Sequence, residues 1–196
     1  MTAGSADPRV VKRVARARRR FVFVNWGNVA HFAETMAAAL GAAAFPRDPS
    51  VLLPRAGVEV VRVASPERAA WYRGGPRRRI EVADNLARGT AAYAIWRAWF
   101  GGLMHPPSLA GEPAAGLQLA PTEVKLARLS ARFAAHVLMP EARVNEQAQR
   151  LRRNPEQMPE ILAEWFGVSR AAMRRRLAEL DLLPIRPPYS RRQEVR

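Results

Sequence analysis

From Thr122 to Leu183 the chain is a succession of helix signals cut by firm stops, an order that restricts this half to short packed helices. Thr122–Leu138 reads as a helix, and Pro140 bars its continuation because proline removes a backbone donor and clashes with the preceding turn. A further helix starts near Glu141, and Asn154-Pro155 separates it from the next. Pro159–Phe166, the turn Gly167-Val168-Ser169 and Arg170–Leu180 read as a helix–turn–helix. Ser169 is placed to cap the second helix, Ala163 sits where a small residue is needed, and Val168 and Leu177 face inward.

The first half is more mixed. Asp7-Pro8 is a helix start, with Asp as cap and Pro at the first position. Phe21–Val24 is a short β-like run, and Asn25–Leu40 reads as an amphipathic helix ended by Gly41. Pro46–Pro54 reads as a loop. Gly57–Val63 alternates like a strand, and Arg77–Val82, after the turn at Gly74–Pro76, reads as its hairpin partner. Thr90–Phe100 is a strongly apolar helix that Gly101-Gly102 should end, since glycine costs about 1 kcal/mol in a helix interior. Residues 105–121 form a proline-rich loop. The tail 184–196 holds three prolines and four arginines and should be irregular. The fold class expected is α/β (α+β), mostly helical, with a small antiparallel sheet packed on helices.

At 196 residues and 48% hydrophobic, the chain can build a core. It has no cysteine, which excludes disulfides, thiolate metal sites and cysteine nucleophiles. No apolar run approaches the roughly 20 residues of a membrane span, and the basic N-terminus lacks a signal-peptide core. A cytoplasmic location without a membrane partner is expected. Net charge is +15, and of 32 basic residues only Lys12 and Lys125 are lysine. Arginine bias of this kind fits a GC-rich genome. The excess charge nevertheless favours polyanions or acidic proteins, because the guanidinium fork grips phosphate and carboxylate in pairs.

The segments Arg128–Pro140 and Ile161–Leu183 resemble the second half of the ImmA/IrrE family of zinc metallopeptidases, in which patterns like A-N-x-F-A-A-x-L-L-M-P and L-A-x-x-F-x-V-S-x-x-A-x-x-x-R-L-x-x-L-G-L-L follow one another. The resemblance covers residues 28–183 and is strongest from 127 onward. It implies a zincin-like metallopeptidase fold over 21–183, between a basic arm at 1–20 and the tail, with 161–183 as a helix–turn–helix-like segment. Upstream, Arg79–Gly89 resembles the family's strand and loop, and Ala92–Pro106 stands where the family has R-F-T-x-A-H-E-x-G-H-x-L-L-H-P. The two zinc histidines then fall on Arg97 and Gly101, and the general-base glutamate on Ala98. Arginine does not deprotonate and cannot bind zinc, and glycine and alanine offer neither ligand nor base. The third family ligand, a glutamate, falls among Ala127, Arg128 and Leu129, none of them acidic. One such loss would suit an alignment slip; four in register argue for degeneration.

The resemblance therefore implies a non-catalytic member without cofactor, acting by binding. The family's targets suggest a helix–turn–helix repressor as partner. A competing reading, from a different class, is a DNA-binding protein or transcription regulator using Arg16, Arg18, Arg19 and Arg20 of the arm with Arg170, Arg174, Arg175 and Arg176 of the C-terminal segment. A third is a hydrolase with a shifted metal site built on His105 and His136. Tyr93, Trp96, Trp99 and Phe100 have two readings also: core packing in place of the metal cleft, or a stacking platform for bases.

Overall fold

A computed structural model describes residues 6–21, 23–64, 69–74, 77–104 and 123–183. It contains α1 (Pro8–Arg19), α2 (Val29–Leu40), α3 (Pro49–Arg55), β1 (Glu59–Val63), β2 (Ala70–Arg73), β3 (Arg79–Ala83), α4 (Arg88–Met104), α5 (Glu123–Leu138), α6 (Glu141–Arg150), α7 (Met158–Phe166) and α8 (Arg170–Glu179). The fold is mostly helical, with one small sheet, as the helix and strand signals require.

The core forms where α5 packs on both α2 and α4. Phe133 of α5 lies 5.7 Å from Phe32 of α2 and 5.0 Å from Phe100 of α4, centroid to centroid, and Trp99 adds its ring at 6.0 Å. These rings, with Trp96, are buried, so three of the four α4 aromatics serve as core and only Tyr93 reaches a surface cleft. A buried arginine fastens the α2–α3 loop to this core. Arg47 donates to the carbonyls of Ala42 and Val137 and pairs with Glu34, while Trp96 Nε1 donates to the Arg47 carbonyl.

Several expectations need correction. The sheet is mixed, not antiparallel: its order is β1-β3-β2, with β1 parallel to β3 and β2 antiparallel to it. The hairpin partner of β3 is β2, a four-residue strand too short for alternation to reveal. Of the expected run Phe21–Val24, the described residues Phe21, Phe23 and Val24 are in no strand; Phe21 instead packs edge-on against Phe32. Residues within the expected loop Pro46–Pro54 start α3, capped by the Asp48 carboxylate on Ser50 N–H.

Helix α4 does not stop at Gly101-Gly102 but continues to Met104. A side chain at Gly102 would put its Cβ 2.6 Å from the Tyr72 ring of β2, so the glycine is there to let sheet and helix meet. The basic lead is not a loose arm over its helical part: α1 buries Val10 and Ala17, and α1 packs on α2. Its predicted start is correct, since Asp7 accepts from Arg9 N–H ahead of Pro8. The proline-rich 105–121 stretch and the 184–196 tail lie outside the described residues.

Candidate functional site

Helices α4, α5 and α8 enclose a cleft of about 430 Å³, closed at one edge by Trp26 from the loop before α2. Its α5 wall follows from helical spacing. Arg128, Arg132, Ala135 and His136 stand three, four, seven and eight residues apart, so one helix face presents them all. Ala172, Arg175, Arg176 and Glu179 do the same on α8, and Tyr93 rises from α4. Among the described lining residues, four arginines thus face a single carboxylate. The Arg132 guanidinium lies 4.4 Å over the Trp26 ring, and Arg97 lies 6.0 Å over Tyr93, whose hydroxyl donates to the Ala131 carbonyl.

The cleft floor is a buried arginine. Arg176 is only 5% exposed. Its Nε donates to the Met139 carbonyl at 3.1 Å, Nη1 pairs with Glu179 at 3.3 Å, and Nη2 lies 3.2 Å from His136 Nδ1. Guanidinium only donates, so Nδ1 must accept and His136 is neutral with its proton on Nε2. Burial, then the charges of Arg176 and Arg132, hold the His136 pKa down at about 4. The reading of Arg176 as a nucleic-acid contact is corrected accordingly: its fork is spent joining α8 to the α5 end. The arginine run 174–176 looked like one basic patch, but helical spacing turns its third member inward.

A pH dependence follows. In the unfolded chain His136 takes its proton near 6.5, in the fold only near 4. Between these values the unfolded state binds more protons, so stability falls as pH drops from 6.5 toward 4. The loss from this group is about 3 kcal/mol over that window. Urea unfolding at pH 7, 5.5 and 4.5 measures it, and His136→Gln should flatten the curve; an unchanged slope in the variant would assign the effect elsewhere.

Of the positions that the resemblance aligns with family ligands, Arg97, Ala98 and Gly101 lie outside the cleft lining and Arg128 lies within it. Arg97 is exposed and its Nε points to Ser130 Oγ on α5 at 3.4 Å. Ala98 is half-buried, and a Cβ on Gly101 would meet nothing within 4 Å. Across from them, Ala127 and Arg128 are exposed and Leu129 is buried. Among the described residues no three His, Asp or Glu side chains converge as a metal site. At the described positions that the resemblance aligns with ligands, arginine only donates, and alanine and glycine carry no ligand atom. The shifted His105–His136 pair fares no better on its described side. His105 lies outside the described residues. A metal on His136 Nε2 would force the proton onto Nδ1, against the Arg176 donor.

The remaining arginines are spread out. Arg16, Arg19 and Arg20 are exposed on or just after α1, while Arg18 is half-buried and donates to the Leu103 carbonyl at 3.1 Å. None of them lines the cleft. Arg174 and Arg175 are exposed on α8, and Arg170 pairs with Glu160 of α7. The α7–α8 turn is built as its residues indicate. Gly167 is left-handed (φ 66°), Val168 and Leu177 are buried, and Ser169 Oγ accepts from Ala172 N–H. Sequence reasoning missed Trp26, Arg128 and Arg132 as cleft residues. The spacing of Arg128, Arg132 and His136 was the available signal; the partner loop carrying Trp26 had none.

The family model for the IrrE N-terminal-like domain (Peptidase_M78) matches residues 118–178. That span runs from the start of α5 through most of α8 and leaves out α4. A solved structure, a Mycobacterium tuberculosis transcriptional regulator, is similar at 20% identity and a TM-score of 0.52, over 91% of this chain and 52% of that one. At such identity the likeness is one of fold, and this chain spans about half the length of that regulator. A comparison with curated proteins gives no match. No helix among the described residues is long and apolar enough to cross a membrane.

Proposed function

We propose that this chain, whose residues 118–178 match the model of the IrrE N-terminal-like domain, is a non-catalytic binding protein with a regulatory role. Arg97 carries this reading: a permanent cation, hydrogen-bonded to Ser130 of α5, stands where a metal ligand is needed. The scaffold keeps its packing and its helix pair, and it presents a basic cleft in place of hydrolytic machinery. The partner that suits such a scaffold is a helix–turn–helix repressor, held rather than cut. The experiment mixes the purified chain with the repressor encoded nearest to its gene. Co-elution from a sizing column, with the repressor's intact mass unchanged, is expected. Cleavage at one defined bond would overturn the non-catalytic reading.

A second reading draws on a different observation. Arg174 and Arg175 are exposed on the second helix of the pair, and Arg16, Arg19 and Arg20 are exposed at α1. Arginine–phosphate contacts release counterions, so duplex DNA binding should be weak, independent of sequence and steeply reduced by salt. Titration of a fluorescent duplex at two salt concentrations measures it. If α8 is mainly structural, changing Arg16, Arg19 and Arg20 to Ala weakens binding more than changing Arg174 and Arg175 to Ala. The reverse order makes α8 the reader and the chain a transcription regulator.

A further inference from the structure

We propose that the cleft between α4, α5 and α8 is a nucleotide site, with the phosphate held by Arg128, Arg132 and Arg175 and the base laid on Trp26. The indole is 57% exposed although tryptophan is costly to leave in water, and Arg132 covers one of its faces at 4.4 Å. An aromatic face held in place by a guanidinium is a platform that a base can use and a carboxylate cannot. That separates a nucleotide from an acidic peptide as the fitting ligand. The cleft volume of about 430 Å³ falls in the range of pockets that take a single small ligand.

Hydrogen bonding points the same way. Arg132 Nε and His136 Nε2, both on the α5 wall, are buried donors without an acceptor among the described residues. Buried donors are rarely left so, and a phosphate brings oxygens to that wall. Arg128 and Arg175 are exposed, from α5 and α8, and Arg175 is close enough for its charge to act on the Tyr93 hydroxyl. Glu179 is the one carboxylate in the lining, and it is engaged by Arg176. The site therefore offers forks for phosphate and a flat ring for a base, with no free anion among its described lining residues to oppose them. The same chemistry could come from a free mononucleotide or from the end of a single strand.

The site does not depend on the identity of the macromolecular partner, and it is tested with short probes. The full chain is titrated with a fluorescent ATP analogue and with a labelled twelve-residue oligothymidylate, each followed by anisotropy. Saturable binding of at least one probe is expected. Trp26→Ala should weaken it roughly 5- to 150-fold, the range of one lost base–aromatic stack. Arg128→Ala with Arg175→Ala should weaken it at least about tenfold, since each charge-assisted bond is worth about 1.5–3 kcal/mol. Arg152→Ala with Arg153→Ala, both exposed after α6 and outside the cleft lining, should leave it unchanged. Unlabelled ATP displacing the oligonucleotide assigns the site to a free nucleotide; failure to displace it at hundredfold excess assigns it to a strand. No saturable binding of either probe, or binding indifferent to Trp26→Ala and the arginine pair, overturns the proposal. The repressor co-elution and duplex titration stand or fall separately.

Discussion

Replacing Arg176 by Ala will destabilise the protein by about 3–5 kcal/mol, the cost of removing one member of a buried, hydrogen-bonded charged network. The truncation strips the Met139 carbonyl and His136 Nδ1 of their donor at once. Both are buried, and an orphaned polar group costs about 1–3 kcal/mol. Glu179 is half-exposed and regains water, so it adds little. Arg176→Met keeps the stem volume and should lose somewhat less than Ala, with most of the penalty retained. Denaturant unfolding of the three proteins at pH 7 gives the order. If Arg176→Ala lies within about 0.5 kcal/mol of the parent, α8 is not fastened through this residue. Arg176 would then return to the candidates for nucleic-acid contact.

Trp99→Ala is the other large effect, again about 3–5 kcal/mol. The ring is 2% exposed and lies among Trp96, at 5.4 Å, and Phe133, at 6.0 Å. These residues belong to α4 and α5, so the void opens at the joint that the whole helical layer shares. Collapse is hindered because Trp96 is held by its bond to the Arg47 carbonyl. A shift in thermal or urea midpoint measures the loss. A change within error would mean that the ring is not packed, and the stacking-platform reading of the α4 aromatics would regain its ground.

What the sequence made legible was local. Asp7-Pro8, Ser169 and Gly41 each act at a helix end through bonds reaching two or three residues, and such chemistry is visible in the chain itself. The α7–α8 pair could be read because its turn, cap and inward residues are contiguous. What stayed hidden depends on distant partners. Gly102 reads as a helix breaker until Tyr72, thirty positions earlier in the chain, is found lying on it. Arg176 reads as one of three surface arginines until Met139 and His136 are placed beneath it. The parallel pairing of β1 with β3 could not be seen because β2, between them in sequence, sits at the sheet edge. The cleft was legible in part: Arg175 was marked for binding, while Arg132 and Trp26 meet only across the fold.

As proposed above, Arg97, Ala98 and Gly101 leave a scaffold that binds a partner and holds no zinc. The most direct test is the metal content of the full chain, purified without chelator and measured by elemental mass spectrometry. Zinc far below one atom per chain is expected, with no change in His136→Ala. One zinc per chain, lost in that variant, would contradict the proposal.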